Sequence, residues 1–371
     1  MRVPVAAHAT DAGVAIGSPG WLRAIPILIV LLVLGIAPTV FVNYSALQGT
    51  RDQLTDLSVT NLRTRSMSTA ASIDAYIQAR RRDIVTVSQL PDVIAYAQNL
   101  GNQGQRDLAR AALAGAATAS TAYESIAILT LDGTIMAASI QTDEGTNVRF
   151  RDYFQNARAG LVYISDPSYS VITNKPALFF SAPIKTTDGV LVGVVRSRIN
   201  LGQIWEFVES DQGSVGAGSR AFLVDDYGIR LAVSETKGNR DKAESLIYKP
   251  IAPIDRDTAT RLATDKRFGQ TSAEQLTIDP LPELKTVMDT MPRSGAVPFR
   301  FEANGVEQRA VATRLESKPW TYVVSMPPAS YTSVLAGATT GVVAGLGFAI
   351  AMAAIVTVWL VRSTTQPRSS R

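Results

Sequence analysis

Phe150-Arg151-Asp152-Tyr153-Phe154-Gln155-Asn156-Ala157-Arg158-Ala159-Gly160 reads as a short helix opened by an arginine and, two and three residues on, by an aromatic pair. The turn Tyr163-Ile164-Ser165-Asp166-Pro167 follows it, and a second turn stands at Thr173-Asn174-Lys175-Pro176. Two apolar runs close the block, residues 177–184 and Gly193-Val194-Val195-Arg196-Ser197-Arg198-Ile199-Asn200-Leu201, and both read as strands. A fixed cation, an aromatic pair and a sheet in one block are the ingredients of a pocket for a small polar ligand.

Composition removes several classes of function. The 371 residues allow two to three domains. They include no cysteine, so a disulfide framework, a thiol nucleophile and a thiolate metal site are excluded. The single histidine is His8, close to the start of the chain, which excludes a Ser-His-Asp triad, a His-based zinc site and a phosphoacceptor histidine. The net charge of +4 is not a nucleic-acid signal. Arg2, Arg23, Arg362, Arg368 and Arg371 against Asp11 account for it, and the 31 basic and 31 acidic residues that remain balance. The excess lies beside two apolar runs, where cytoplasmic flanks of membrane helices carry positive charge. No nucleic-acid partner, cofactor or metal is expected.

Residues 24–42 are free of charge and contain Ile27-Leu28-Ile29-Val30-Leu31-Leu32-Val33-Leu34. About 20 apolar residues of helix cross the hydrocarbon of a bilayer. The run is longer than the apolar core of a cleavable signal, and no clean A-x-A site follows it. Residues 23–43 are therefore expected to form an uncleaved transmembrane helix. A second is expected at 333–361, which ends Val358-Trp359-Leu360-Val361-Arg362, an interfacial aromatic followed by a cation. Gly337, Gly341 and Gly345 share one face of it, where two helix backbones can approach; ordinary glycine enrichment of membrane helices explains them equally. With Arg23 and Arg362 inside, residues 1–22 and 362–371 are cytoplasmic tails and 44–332 lies outside. In a bacterium this is a two-pass inner-membrane protein with a periplasmic domain.

Within 44–332, residues 44–100 read as a long stalk helix whose Ile73, Ile77, Ile84 and Val87 form one apolar stripe. Arg80, Arg81 and Arg82 on it form either a solvated face or a contact with a twin helix in a homodimer. Residues 105–122 read as a second helix and 125–139 as a hairpin around Leu131-Asp132-Gly133. Ala127-Ile128-Leu129-Thr130-Leu131-Asp132-Gly133 returns as Ala221-Phe222-Leu223-Val224-Asp225-Asp226-Tyr227-Gly228, and each copy is followed later by a strand-turn-strand ending. The fold class is α+β, with two antiparallel-sheet lobes of one architecture at 101–202 and 215–330, bridged by 203–208. Residues 236–292, broken by five prolines, receive no role.

The R-x-[aromatic]-[aromatic] helix, the Y-x-S-x-P turn and the paired strands resemble the membrane-distal lobe of double Cache domains. These are PAS-like extracytoplasmic sensors of bacterial chemoreceptors, sensor kinases and diguanylate cyclases. The resemblance covers 44–332, and residues 362–368 resemble the opening of a HAMP linker. In the amino-acid-binding subfamily an arginine holds the ligand carboxylate, two aromatics line the pocket and acidic residues hold the ammonium. By that resemblance Arg151 offers its planar fork to a carboxylate. Tyr153 and Phe154 match the aromatic pair, which a place in the core explains equally, and Tyr169 falls where the family places a further pocket aromatic; by residue type alone, Thr173, Asn174 and Ser181 are expected as hydroxyl or amide donors.

Two positions depart from that pattern. Arg198 stands where the subfamily places an ammonium-binding aspartate, and Val171 where it places a second acid. An ammonium would meet a like charge there. Arg151 with Arg198 therefore suggests a small anion, a carboxylate or dicarboxylate, with Arg196 adding charge at the rim from the same strand face. The plain alternative pairs Arg198 internally with Asp166, Asp152 or Glu206. The expected function is ligand sensing for signal transduction, with output through a cytoplasmic or membrane partner, or through a longer product of which these residues are the sensor half. An extracellular enzyme finds no support in paired acids and bases or an activated nucleophile.

Overall fold

A 52-residue helix, α1 (Ala37–Ser88), provides the spine of the computed structural model, which describes residues 26, 29–30, 37–239 and 246–365. Leu62, Ala70, Ile73, Ile77 and Ile84 fall at three-to-four-residue multiples and are buried along one face. The stripe is the expected one, extended about three turns further back, to Leu62. The stalk ends earlier than the expected residue 100, because Pro91 opens a separate helix, α2 (Pro91–Gln98); proline is tolerated at the first helical position but not inside a helix. α3 follows (Gln103–Ala117), its start capped by the Asn102 side chain, which accepts from the Gln105 amide at 3.1 Å.

The chain then builds two antiparallel sheets of the same order. In the first lobe, the one expected to be membrane-distal and called distal for that reason, these strands are β1 (Tyr123–Leu129), β2 (Ile135–Ala138), β3 (Tyr163–Ile164), β4 (Ser168–Tyr169), β5 (Pro176–Lys185) and β6 (Leu191–Asn200), with the short helix α4 (Asp152–Arg158) between β2 and β3. The order is β2-β1-β6-β5-β3, with β4 also on β5. After the linking helix α5 (Gly202–Glu209), the proximal lobe has β7 (Arg220–Val224), β8 (Arg230–Val233), β9 (Ala296–Ala303), β10 (Val306–Arg314) and β11 (Thr321–Met326) in the order β8-β7-β11-β10-β9. Helices α6 (Arg256–Thr264) and α7 (Pro282–Thr290) lie in the segment between β8 and β9. In each lobe a hairpin comes first, and its first strand pairs with the lobe's last.

The echo in the sequence has a structural cause. Both hairpin turns end in a glycine with positive φ, Gly133 at 92° and Gly228 at 74°. Each is also approached closely: a Cβ on Gly133 would stand 2.8 Å from the Arg149 backbone, and one on Gly228 would stand 2.7 Å from Ile251.

β6 is buried on both faces, which antiparallel strands seldom are. Val195 and Ile199 face the cluster containing Ile73, Ile77 and Ile84 of α1. Val194 faces a second cluster with Tyr153, Phe154 and Phe179, and by period two Arg196 and Arg198 share that face. α1 also fastens the proximal lobe: Asp74 accepts from the amides of Glu316 at 2.9 Å and Ser317 at 2.8 Å. Arg80 lies over the Tyr76 and Tyr123 rings and pairs with Asp83 at 3.2 Å, while Arg81 and Arg82 are exposed.

The unit formed by residues 55–331 is distinct from that of the two ends. Among the described residues no helix is long and apolar enough to cross a membrane. Much of the expected span 23–43 lies outside the described residues. The second expected span falls within a helix, α8 (Ala329–Thr365), whose side chains from 333 to 342, Gly337 and Gly341 among them, also lie outside.

Candidate functional site

Arg151 occupies the N-cap of α4, with Asp152 in the first turn, where the helix dipole favours an acid, and Arg158 in the last. This places Tyr153, Phe154 and Ala157 on the buried side of the helix, over β5 and β6. Ser181 on β5 donates to the Tyr153 carbonyl at 2.8 Å and holds the helix to the sheet. The Tyr153 ring stacks on Phe179 with centroids 4.7 Å apart. Burial raises the Tyr153 hydroxyl's pKa, against the pull of Arg196 and Arg151.

Three guanidinium groups border this face. Arg151 is 2% exposed. It donates to the Tyr169 carbonyl at 2.6 Å, the Asp265 carbonyl at 2.6 Å and the Ser168 hydroxyl at 3.4 Å, while its Nε has no partner among the described residues. Arg196 is 1% exposed, pairs with Asp143 at 3.5 Å, and leaves Nε and Nη1 without partners among the described residues. It is thus inside the lobe, not at the rim expected from the sequence. Arg151 and Arg196 each lie 5.9 Å from the Phe179 ring centroid. Burial lowers the pKa of both guanidinium groups.

Arg198 is paired, but to neither Asp166, Asp152 nor Glu206. Its Nη1 meets Asp143 at 3.0 Å and its Nε meets Glu124 at 3.0 Å. Asp143 ends a short 3-10 turn after β2 and carries no periodic or motif signal, so the sequence offered no way to place it opposite β6. Beside Arg198, in register on β1, the buried Ser125 hydroxyl has no partner among the described residues.

The structure therefore brings Arg151, Tyr153, Phe154, Ser181, Arg196 and Arg198 to one side of the distal sheet. Tyr169 and Thr173 go elsewhere. Tyr169 packs on Tyr248 with centroids 5.5 Å apart, and Thr173 is exposed in the following turn, its amide donating to Ser170. Tyr169 and Asn174 help line a cavity of about 420 Å³ with Tyr248, Phe268 and Gln270. Two further cavities, of about 390 and 170 Å³, lie on the proximal sheet and beside α1; none of the three is lined by Arg151, Arg196 or Arg198.

The segment without a role in the sequence reading closes the junction between the lobes. Besides the Asp265 carbonyl on Arg151, the Lys266 carbonyl accepts from the Tyr169 amide at 2.8 Å. Arg267, 6% exposed, pairs with Asp166 of the distal Y-x-S-x-P turn at 2.9 Å and with the fully buried Asp225 of the proximal hairpin. Asp166 also accepts from Trp320 Nε1 at 2.7 Å and Lys318 at 3.0 Å. Burial raises the Asp166 pKa, but Arg267, Lys318 and Trp320 outweigh it and hold it down to about 2. At Asp225 burial prevails over Arg267 and pushes the carboxyl up to about 7.

Comparisons with known proteins agree with this architecture. The Cache domain family model matches residues 49–335. No curated protein matches the chain. The sensor domain of the V. cholerae histidine kinase DctB superposes with a TM-score of 0.55 at 14% identity, covering 74% of this chain and 98% of that one. The sensory domain of the Campylobacter jejuni chemoreceptor Tlp3, solved with isoleucine bound, superposes with a TM-score of 0.52 at 12% identity, covering 75% and 96%. These likenesses show a shared fold of two antiparallel sheets on a long N-terminal helix. With the family model spanning both lobes, this chain belongs to the Cache domain family, as a double Cache sensor domain.

Proposed function

We propose that the chain is a membrane-anchored extracytoplasmic sensor whose distal lobe takes a small anionic metabolite, a carboxylate or dicarboxylate. The observation that carries this is the buried guanidinium excess beside Phe179. Arg196 and Arg198 share one fully buried carboxylate, Asp143, and Arg198 also meets the half-buried Glu124, while Arg151 donates to two carbonyls and a hydroxyl and makes no ion pair among the described residues. A buried donor without a partner costs about 1–3 kcal/mol, and an uncompensated buried charge costs more. An anion seated against Arg196 and the free Nε of Arg151 supplies what is missing.

A ligand carboxylate at Arg151 competes with the carbonyls of Tyr169 and Asp265. The same contact that holds the ligand thus bears on the inter-lobe segment, and the shift it produces is limited by the ligand's differential affinity for the two arrangements. The Tlp3 domain carries isoleucine, so an amino acid is the second reading. Against it, an ammonium on this face meets Arg196 and Arg198, and the one acid between them already serves both. The anchor is the two-pass arrangement of 23–43 and 333–361 in a bacterial inner membrane, with the sensor in the periplasm. A homodimer through α1 and the Gly337, Gly341, Gly345 face, acting on a signalling partner, supplies the output.

The test is a thermal-shift screen of the full chain in detergent against succinate, acetate and isoleucine, with Arg196→Gln and Arg151→Gln alongside. Succinate is expected to stabilise the chain, and either substitution to abolish the shift. Stabilisation by isoleucine alone, or a succinate shift unchanged in both variants, refutes the assignment.

A further inference from the structure

The proximal lobe has a cavity of its own, about 390 Å³, on the outer side of its sheet. That volume lies in the range of small-molecule sites. Its apolar surface comes from Phe222, Leu281 and Phe301, and its charged groups are Arg220, Arg230, Glu235, Asp279 and Glu302, with Arg220 paired to Glu235 at 3.5 Å. Phe222 and Leu281 are nearly fully buried, so the floor is fixed by the proximal core.

Arg230 is the group that points to a ligand. Its backbone is held at both ends in β8: its amide donates to the Lys249 carbonyl at 3.2 Å, and its own carbonyl accepts from the Tyr248 amide at 2.7 Å. Its guanidinium lies 5.4 Å over the Phe222 ring. Asp279 takes Nη1, and the buried Nε has no partner among the described residues. A carboxylate engages the Nε side of a guanidinium with two parallel hydrogen bonds, and Asp279 leaves that side open.

We propose that this cavity is a second ligand site, for an amphiphilic monocarboxylate with an aromatic or branched apolar body. The carboxylate seats on Arg230 and the body lies on Phe222, Leu281 and Phe301. Three acids, Glu235, Asp279 and Glu302, against two cations, Arg220 and Arg230, disfavour a second negative charge on the ligand, which separates this site's ligand class from the dicarboxylate of the distal lobe. The same acids tolerate an ammonium, so aromatic amino acids and their deaminated analogues share the required chemistry.

Calorimetric titration of the full chain in detergent tests this with 3-phenylpropanoate, phenylalanine and succinate at millimolar concentration. 3-Phenylpropanoate is expected to bind, and Arg230→Gln to weaken it at least about tenfold, the loss of a charge-assisted pair. Gln308→Trp fills the cavity from β10 without touching Arg230 and is expected to abolish binding. Arg196→Gln, in the distal lobe, is expected to leave it unchanged. Phenylalanine binding at the same site shows that the ammonium is accepted, and its failure assigns the site to the deaminated acid. The proposal is overturned if neither aromatic monocarboxylate binds, if binding survives both proximal variants, or if only Arg196→Gln removes it.

Discussion

Arg267→Met is the substitution that most directly tests how the two lobes are held together. Among the described residues, Arg267 is the one cation on Asp225 and one of two on Asp166. Removing one member of a buried pair costs about 3–5 kcal/mol, because the partner charge stays buried. The lower end applies here. Asp225 keeps the Tyr227 and Ile229 amides, at 2.9 and 2.8 Å, and its carboxyl, already raised to about 7, takes up a proton when Arg267 is gone. The expected loss is thus about 3 kcal/mol at pH 8 and smaller at pH 5, where Asp225 is protonated with or without Arg267 and only the Asp166 contact is lost. Urea unfolding of the full chain in detergent, followed by tryptophan emission with Trp21, Trp205 and Trp359 replaced by Phe in both proteins, measures this at the junction itself, since Trp320 Nε1 is bonded to Asp166. Asp225→Asn in the Arg267→Met background is expected to recover part of the loss. A cost below about 1 kcal/mol, or the same cost at both pH values, would refute the ion-pair account of the junction.

Three further expectations concern stability. Asp166, held at about 2 against an ordinary 3.8, contributes stability that is full above pH 4 and lost as pH falls toward 2, about 2 kcal/mol in all; Asp166→Asn should flatten that part of an acid-denaturation profile. The raised Asp225 carboxyl works in the opposite sense and only above pH 4, so it does not mask this slope. Ile77→Ala, in the fully buried stripe of α1, should cost about 3 kcal/mol by urea titration, whereas Met67→Ala, half exposed on the same helix, should cost well under 1. Gly228→Ala should cost about 2 kcal/mol or more, since φ is 74° and the new Cβ meets Ile251, while Gly145→Ala at φ 83° has open space and should cost about 1; equal losses would remove the close-contact argument.

Local signals carried much of the architecture. The period of Ile73, Ile77 and Ile84 identified the stalk, and the Asp132-Gly133 and Tyr227-Gly228 turns identified two matching hairpins, because each depends on neighbours within a turn or two of chain. One strand with a clear signal went unread: β9 alternates Val297, Phe299 and Phe301 with Pro298, Arg300 and Glu302, and is followed by the hairpin pair Asn304-Gly305, both residues at positive φ. Pro298 fits because β9 is an edge strand.

By itself the sequence determined the α+β class, the repeated lobes, the exclusion of thiol and histidine chemistry, and the shared face of Arg196 and Arg198, since composition and periodicity are properties of the chain alone. Tertiary structure decided which arginine is satisfied. Asp143 and Glu124 neutralise Arg198, Arg196 remains under-paired, and Arg151 is tied to the carbonyl of a residue 114 positions away. Charge pairing depends on which side chains the fold brings within a few ångströms, and for Asp143 and residues 265–267 that proximity comes from a sheet and a junction between lobes that no local pattern encodes.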